Sequence, residues 1–300
     1  MYPETTSKTQ PREELSIESE TLDKCIICEI VTAHRSEYEK WGFSIIRCLD
    51  CGLGSVRLDG RLDIAQVYNE AYFRGGTPDG YADYVRSENV LRSEFRRTTA
   101  RLRRYGTREG NLLEVGCAYG FFLLEAQRYF NCFGVEVCTE AVEFCRSRSL
   151  SVDCGEATQK VLDRLGILDA VVMLDVIEHL ENPHEVLQRV SHSVRPGGSL
   201  MISTGDWSSM LARFMGRKWR LMTPPQHLFY FSESTLTSLL AKVGFRVVHR
   251  SRPWKIVPFG LAAYQVVARM GISMPSLGFF NRLGFPVNLF DTILIVARKD

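Results

Sequence analysis

One segment constrains the fold of this chain more than any other, the stretch LLEVGCAYGFF at residues 112–122. An apolar run ends in Glu114, a short turn lies between Gly116 and Gly120, and an apolar helical stretch follows. A strand, a glycine-containing turn and a helix in this order form the unit at which open α/β sheets bind nucleotide-like ligands. Glycine lets the backbone approach a ligand where a Cβ atom would collide. The segment therefore predicts the first strand of an α/β domain, with a ligand site at its carboxyl end.

The spacing within this turn argues against a dinucleotide. The G-x-G-x-x-G fingerprint, counted from Gly116, requires glycines where this chain has Ala118 and Phe121. The observed pattern is E-x-G-x-x-x-G, so a dehydrogenase is disfavoured. The turn alone does not distinguish a ligand site from an ordinary tight turn, and other segments have to decide.

After residue 106 the chain alternates between short apolar runs and helical stretches. This alternation predicts an α/β domain whose mostly parallel sheet is covered by helices on both faces. We predict strands at residues 111–115, 132–136, 151–153, 169–174, 198–204, 246–251 and 290–297.

A second acid, Glu136, ends the second predicted strand and follows Gly116 by 20 residues. A carboxylate at this place can accept hydrogen bonds from ribose hydroxyls, as it does in nucleotide-binding folds. The alternative is an ordinary surface glutamate at the end of a strand.

Four of the nine cysteines form two C-x2-C pairs, Cys25 with Cys28 and Cys48 with Cys51, with 19 residues between the pairs. This spacing is typical of a zinc ribbon, in which four thiolates bind one tetrahedral ion. Four thiolates leave no position for water, so we expect a structural ion. Sulfur ligands suit iron as well, and two unrelated pairs of thiols are the alternative to any metal. Because the number of cysteines is odd and five are isolated, we expect a reducing compartment and a cytoplasmic protein.

Composition divides the chain into four predicted regions. They are a disordered polar tail (1–20), a zinc-ribbon module (21–58), a helical connector or lid (59–105) and the α/β domain (106–300). The connector carries seven arginines between residues 86 and 104, which form either a solvated helix face or a phosphate-facing patch. It also contains tyrosines that could cover a cationic cofactor; these are Tyr72, Tyr81 and Tyr84.

Two further segments complete an ordered set of motifs. DVIEHL at residues 175–180 follows the fourth predicted strand, and RPGG at residues 195–198 precedes the fifth. With the glycine turn and Glu136, they make residues 106 to about 251 resemble a class I S-adenosylmethionine-dependent methyltransferase. The resemblance implies a Rossmann-like, seven-stranded, mostly parallel sheet with helices on both faces. With its cysteine module, the chain resembles methyltransferases that carry an N-terminal zinc module, among them the sugar C-methyltransferases.

The resemblance also implies which residues hold the cofactor. They are Glu114, Gly116, Ala118, Gly120, Glu136, Glu156 and Asp175. Asp153 is the alternative to Glu156 as the acid expected near the adenine amine. His227 and His179 are the candidates for a base that takes a proton from the acceptor. A structural role is favoured for His179, whereas His227 either acts as the base or pins its loop to the sheet.

We therefore predict an enzyme that methylates a small molecule, such as a nucleotide-linked sugar or another polar metabolite, on carbon or oxygen. One alternative is an RNA methyltransferase that binds RNA with the ribbon and the arginine helix. The other is a module that binds the cofactor but does not catalyse a reaction. The net charge of +2 and the absence of an N/D-P-P-Y/F box after the fourth strand make nucleic acid an unfavoured partner. No apolar run is long enough to span a membrane. Residues 210–222 and 252–289 are expected to cover the acceptor or to contact a lipid surface or a partner, and the sequence does not indicate the oligomeric state.

Overall fold

The computed structural model describes residues 20–58, 84–258 and 284–300 of the chain. Its strands and helices are, in chain order, β1 (Glu20–Lys24), β2 (Val31–Lys40), β3 (Phe43–Cys48), β4 (Gly54–Val56), α1 (Glu88–Tyr105), β5 (Gly110–Val115), α2 (Phe121–Ala126), β6 (Phe130–Glu136), α3 (Thr139–Ser147), β7 (Ser151–Cys154), α4 (Gln159–Leu165), β8 (Leu168–Leu174), α5 (Pro183–Ser193), β9 (Val194–Gly205), α6 (Met210–Met215), β10 (Phe229–Tyr230), α7 (Glu233–Lys242), β11 (Phe245–Ser251), β12 (Lys255–Pro258), β13 (Gly284–Val287) and β14 (Thr292–Lys299).

The main sheet has seven strands in the order β11-β14-β9-β8-β5-β6-β7. Strands β5 to β9 run parallel, whereas β14 pairs antiparallel with both β9 and β11. The chain builds outward from β5 through β6 to β7 and then returns to place β8 on the other side of β5. The carboxyl ends of β5 and β8 therefore form the topological switch point at which sheets of this kind bind ligands. The predicted α/β fold with a mostly parallel seven-stranded sheet is confirmed.

Helices cover both faces of this sheet because both faces of its central strands are apolar. On β8, Val171 and Met173 belong to a buried cluster with side chains of α4, α5 and α7. Val172, between them, belongs to a second cluster with Leu102 of α1 and Phe122 of α2. Successive residues of a strand point to opposite faces, so a continuous apolar strand needs a layer on each side.

Local sequence signals fix where the helices beside the switch point begin. Asn182 caps α5, since its Oδ1 accepts a hydrogen bond from the Glu185 N–H at 3.2 Å, and Pro183 occupies the first helical position. Ser232 and Thr235 form a reciprocal capping box at the start of α7. These caps hold the loops that precede α5 and α7 at one edge of the sheet.

The cysteine module forms a second sheet that continues into the main domain. Strands β2 and β3 form a hairpin whose two turn residues, Trp41 and Gly42, both have positive φ angles. Trp41 therefore lies in the turn between the two strands. Strand β10 of the main domain adds to the free edge of β4, and Cys25 and Cys48 share a buried cluster with Leu187 of α5. Because the two regions share a sheet and a core, the predicted domain boundary at residue 58 stays a prediction.

Several predicted features lie outside the described residues. They are the tail up to residue 19, the connector from 59 to 83 with Tyr72 and Tyr81, and residues 259–283 of the apolar C-terminal segment. The part of the connector that the structure describes consists of α1 and the short turn before it. In the parts of the chain that the structure describes, no helix is long and apolar enough to cross a membrane.

Candidate functional site

The carboxyl ends of β5, β6, β8 and β9 open into one large cavity of about 1350 Å³. A pocket for one small ligand usually measures roughly 300–1,000 Å³, so this cavity has room for two ligands. One side, here called the turn wall, consists of residues 114–118, 135–137 and 155–157. The other side, the histidine wall, consists of the cavity-lining residues within the segments 174–182, 217–227 and 253–256.

The turn wall begins with the tight turn after β5. Gly116, Ala118 and Gly120 all have positive φ angles, of 69°, 46° and 71°. A Cβ atom at Gly116 would lie 2.6 Å from Cγ2 of Val176, which is closer than side chains can approach. The turn therefore needs glycine at this position for both its backbone angle and its contact with the histidine wall.

Glu136 holds this turn in place. Its Oε2 accepts a hydrogen bond from the Ala118 N–H at 2.8 Å, and its Oε1 accepts one from the Cys138 N–H at 2.9 Å. Burial raises the pKa of Glu136 above its ordinary value, although these N–H groups oppose the rise. The side chain lines the cavity as predicted, and it also stabilises the positive φ angle of Ala118, which the sequence did not indicate.

Glu114 is the second acid of the turn wall. It is buried, and its Oε2 has no hydrogen-bond partner in the structure. Burial, with smaller contributions from Cys145 and Glu136, raises the pKa of Glu114 well above its ordinary range. A buried carboxyl oxygen without a partner is unfavourable, and because Glu114 lines the cavity, a ligand can supply the missing donor.

The structure distinguishes between the two acids that competed for the third position. Glu156 is exposed and lines the large cavity. Asp153 forms an ion pair with Arg164 and lines a separate, smaller cavity. Glu156 is therefore the acid that a ligand in the large cavity can reach.

Asp175 begins the histidine wall with a positive φ angle of 56°. Its Oδ1 accepts a hydrogen bond from the Ser203 hydroxyl at 2.8 Å, and its Oδ2 forms an ion pair with Lys255 Nζ at 2.8 Å. Burial disfavours the charged carboxylate, but Lys255 and Ser203 outweigh it and hold the pKa of Asp175 below its ordinary value. An ionised Asp175 is thus fixed between β8 and β12.

The two candidate histidines lie next to each other on the same wall. The ring centroids of His179 and His227 are 4.6 Å apart and their planes meet at 74°. The Leu228 N–H donates to the Glu178 carbonyl at 2.8 Å, which joins the loop after residue 224 to the end of β8. Burial lowers the pKa of both imidazoles, and the neighbouring His179 lowers that of His227 further. The neutral form of both rings is therefore favoured at physiological pH.

Glu178 lies beside these rings and is only 4% exposed. Burial and the negative charge of Asp175 raise the pKa of Glu178 to about 8. Its Oε2 is buried without a hydrogen-bond partner. The sequence placed this residue in a motif but gave it no role.

Part of the segment 210–222 lines the cavity, namely Met215 and residues 217–221. Trp219 is buried and its indole N–H donates to Asp291 at 2.9 Å, while Arg220 forms two hydrogen bonds to the same carboxylate. Arg217 and Lys218 are exposed side chains at the cavity edge. The other predicted role concerns side chains on α6 that face solvent, Met210 and Phe214, which are 89% and 91% exposed; their contact with a lipid surface stays a prediction.

The four cysteines of the N-terminal module come together as predicted. One sulfur atom from each lies within 4.8 Å of the others, and the closest Sγ···Sγ distances are 3.5 Å for Cys25–Cys51 and 3.8 Å for Cys28–Cys48. Four thiolates at about 2.3 Å from a tetrahedral ion lie about 3.8 Å from one another. The donor set and its spacing therefore fit a zinc ion.

Two arginines of the helix α1 form ion pairs within the protein. The buried carboxylate of Glu125 receives Arg92 Nε at 2.6 Å and Arg96 Nη1 at 3.3 Å. Arg92 also pairs with Glu88 at 3.1 Å. These two arginines join α1 to α2, which weakens the case for a continuous patch that faces phosphate groups.

Sequence reasoning missed two residues of the histidine wall. Lys255 lies in an apolar segment without a motif, and Ser203 is an ordinary serine inside β9. Each acquires a role only because β9 and β12 place it against Asp175. A lone lysine in an apolar stretch was the one signal for Lys255 in the sequence.

Comparison with known proteins identifies what this fold and site are similar to. A family model described as "Methyltransferase domain" matches residues 86–250, more than half of the chain. Two curated relatives are each named ubiquinone biosynthesis O-methyltransferase. The protein from Colwellia psychrerythraea is 28% identical over 100 residues, covering 31% of this chain and 41% of that protein. The protein from Xanthomonas axonopodis pv. citri is 29% identical over 133 residues, covering 42% of this chain and 54% of that protein.

The chain thus spans about half the length of the curated relatives it matches. One similar solved structure is described as "Conversion of a Disulfide Bond into a Thioacetal Group during Echinomycin Biosynthesis". It has a TM-score of 0.50 and 16% identity, and the match covers 79% of this chain and 93% of that one. At this identity the likeness concerns the fold alone.

Proposed function

Because the chain belongs to the methyltransferase domain family, we propose that it is an S-adenosylmethionine-dependent methyltransferase that acts on a small molecule. The observation that carries this proposal is the turn wall, in which Glu136 fixes the glycine turn and Glu114 presents an unpaired buried oxygen beside it. Carboxyl oxygens at this place favour a ligand rich in hydrogen-bond donors. When bound, S-adenosylmethionine supplies a methyl group that its sulfonium centre makes electrophilic.

The residues that would hold this cofactor are those that the sequence predicted, and all of them except Gly120 line the cavity. They are Glu114, Gly116, Ala118, Gly120, Glu136, Glu156 and Asp175. Gly120 supports the turn through its positive φ angle, and Asp175 approaches from the histidine wall. The main task of such a wall is alignment, since correct placement of the two reacting groups lowers the barrier substantially.

We place the acceptor at the histidine wall, where His227 offers a neutral imidazole. A neutral ring can accept the proton that an acceptor hydroxyl or an activated carbon must lose. His179 has a positioning role, since its Nδ1 lies 2.8 Å from the Gln226 carbonyl oxygen and anchors the loop of His227.

The acceptor that fits best is an anionic small molecule with a hydroxyl group or an activated carbon. The exposed cations Arg217 and Lys218 stand at the cavity edge, where they can attract a phosphate group. A nucleotide-linked sugar or a similar polar metabolite has both features. The names of the curated relatives support transfer to oxygen.

For the cysteine module we propose one structural zinc ion held by Cys25, Cys28, Cys48 and Cys51. A segment this small buries too little apolar surface to fold by itself, so binding of the metal would contribute to its folding. Metal analysis of the purified protein tests this proposal, and iron in place of zinc would contradict it.

The test is transfer of a labelled methyl group from S-adenosylmethionine to a panel of nucleotide sugars, phenolic metabolites, lipids and RNA. We expect label in one class of small molecules and a large loss in Glu136→Gln, which weakens the support of the turn. Glu143→Gln is the matched control, because Glu143 is exposed on α3 away from the cavity. Label in RNA alone would contradict the proposed acceptor class, and binding of S-adenosylhomocysteine without transfer to any acceptor would favour a module without turnover.

A further inference from the structure

Three side chains of the histidine wall form a compact group of metal-binding donors. Glu178, His179 and His227 each offer one ligand atom, and these three atoms lie within 4.8 Å of one another. All three residues line the large cavity. Two imidazoles and one carboxylate form a donor set that binds divalent transition metals.

The carboxylate of Glu178 is an independent sign of a missing partner. The residue is only 4% exposed, and its Oε2 has no hydrogen-bond partner. The cationic side chains nearby are bound elsewhere: Lys255 pairs with Asp175 at 2.8 Å, and Arg220 pairs with Asp291 at 2.9 Å. A buried carboxyl oxygen without a hydrogen-bond partner is costly, and a cation at this position would bind that oxygen.

His179 is held in the way that metal-binding histidines usually are. Its Nδ1 lies 2.8 Å from the carbonyl oxygen of Gln226, so we assign the ring proton to Nδ1. A hydrogen bond of this kind fixes the orientation of the ring, as it does in metal-binding histidines.

We propose that Glu178, His179 and His227 bind a divalent first-row transition cation at the acceptor end of the cavity. The two nitrogen donors argue against magnesium and calcium, which prefer oxygen ligands. Three protein ligands leave coordination positions open toward the cavity, as in catalytic metal sites. This site is distinct from the cysteine module, whose four thiolates leave none.

The role of the cation rests on the proposed function, whereas its binding rests on the geometry alone. At an open position the cation would bind a hydroxyl oxygen of the acceptor and lower its pKa. The acceptor class is then narrowed to molecules with a hydroxyl group that can ligate a metal. With the cation bound, His227 is a ligand and not the direct proton acceptor, so the two roles can be separated by experiment.

The test is a titration of the full chain with Co2+, followed by optical absorption. The cysteine module is loaded with zinc beforehand. We expect one Co2+ per chain with weak d–d bands, because nitrogen and oxygen ligands give no intense sulfur-to-metal charge-transfer band. Glu178→Gln and His227→Ala should each weaken this binding at least about tenfold, since loss of a ligand costs no less than loss of its supporting contact. His192→Ala, on the exposed side of α5, should bind Co2+ as the unaltered chain does.

No saturable Co2+ binding, equal binding by all variants, or a charge-transfer band from thiolates would each overturn the proposal. Binding of S-adenosylhomocysteine to the same samples keeps the two proposals apart. If it binds to a chain that takes up no Co2+, only the metal proposal fails. If Co2+ binds as expected and S-adenosylhomocysteine does not, the proposed function fails. Circular dichroism confirms that each variant is folded.

Discussion

The two walls of the cavity are assembled in opposite ways. The turn wall draws on residues 114–157, and its central contacts are local, such as the hydrogen bonds from Ala118 and Cys138 to Glu136. The histidine wall joins distant segments, and its ion pair between Asp175 and Lys255 spans 80 positions of the sequence. One continuous stretch of the sequence therefore supplies the turn wall, whereas the histidine wall depends on how several elements pack. Substitutions that affect one wall should therefore have different consequences from substitutions that affect the other.

The largest effect is expected from Cys48→Ser, which removes a ligand of the proposed zinc ion. Structural zinc contributes on the order of 10 kcal/mol to small metal modules, so we expect loss of bound metal, faster proteolysis within residues 20–58 and a lower melting temperature. Because β10 pairs with β4 just after His227, the histidine wall should suffer more than the turn wall. Methyl transfer should fall while S-adenosylhomocysteine still binds.

The control for this substitution is Cys154→Ser, since Cys154 is exposed and outside the module. It should keep the metal content, the melting temperature and the transfer rate. Unchanged metal content in Cys48→Ser would show that the four cysteines do not form the site.

The second substitution, His227→Ala, tests the histidine wall directly. Loss of a group that assists proton removal typically lowers the rate by about 10²–10⁴-fold. We expect a loss of this size in transfer, with the affinity for S-adenosylhomocysteine unchanged in calorimetry. His192→Ala should leave both unaltered, and equal losses of rate and affinity in His227→Ala would assign His227 a structural role.

The third substitution, Gly116→Ala, tests the turn wall. The added Cβ would lie 2.6 Å from Val176, and the φ angle of 69° disfavours any side chain. A non-glycine residue in this region costs roughly 1–2 kcal/mol before the clash is counted, so we expect at least about tenfold weaker binding of S-adenosylhomocysteine.

Gly166→Ala is the matched control, because Gly166 has a φ angle of 71° but a Cβ atom added there would meet no atom within 4 Å. It should lower the melting temperature slightly and leave binding intact. If both variants weaken the binding of S-adenosylhomocysteine equally, backbone strain, and not the contact between the walls, determines the loss of affinity.

The smallest effect is expected from Lys255→Met, which removes the partner of Asp175. Because the folded pKa of Asp175 lies below its ordinary value, the ion pair stabilises the fold above the unfolded pKa of about 3.9. This stabilisation is lost as the pH falls through the folded pKa. The side chains of Lys255 and Asp175 are 31% and 41% exposed, so solvent screening limits the pair to no more than about 1 kcal/mol.

Urea denaturation should thus show a difference in the free energy of unfolding between the unaltered chain and Lys255→Met that is constant from neutral pH to about pH 5 and shrinks below about pH 4. Arg246→Met, which removes a surface pair with Asp300, should have almost no effect at any pH. A difference that grows toward acid pH would contradict the assigned direction of the Asp175 pKa.

The contrast between the walls also explains how far the sequence could predict the molecule. The sheet was predictable because each strand is a separate apolar run, and the cysteine cluster was predictable because its spacing is diagnostic. Glu136 lines the cavity at the end of its predicted strand, and its role toward a ligand stays a prediction. Its hydrogen bonds to the turn depend on the exact path of the backbone. Glu156 could be chosen over Asp153 only after the structure paired Asp153 with Arg164.

The histidine wall could be predicted only in part. His179 and His227 were both singled out, yet their contact follows from the backbone hydrogen bond between Leu228 and Glu178, which no local pattern indicates. Lys255 and the unpaired oxygen of Glu178 were missed for the same reason. Residues that are far apart in the sequence acquire a common role only through the packing of the sheet.

The most direct test of the account is a crystal structure of the full chain with saturating S-adenosylhomocysteine. We predict that the nucleoside lies at the carboxyl ends of β5 and β6, against the turn at Gly116 and within hydrogen-bonding distance of Glu136. Density for the nucleoside elsewhere on the protein, or none in the cavity at saturating concentration, would contradict it.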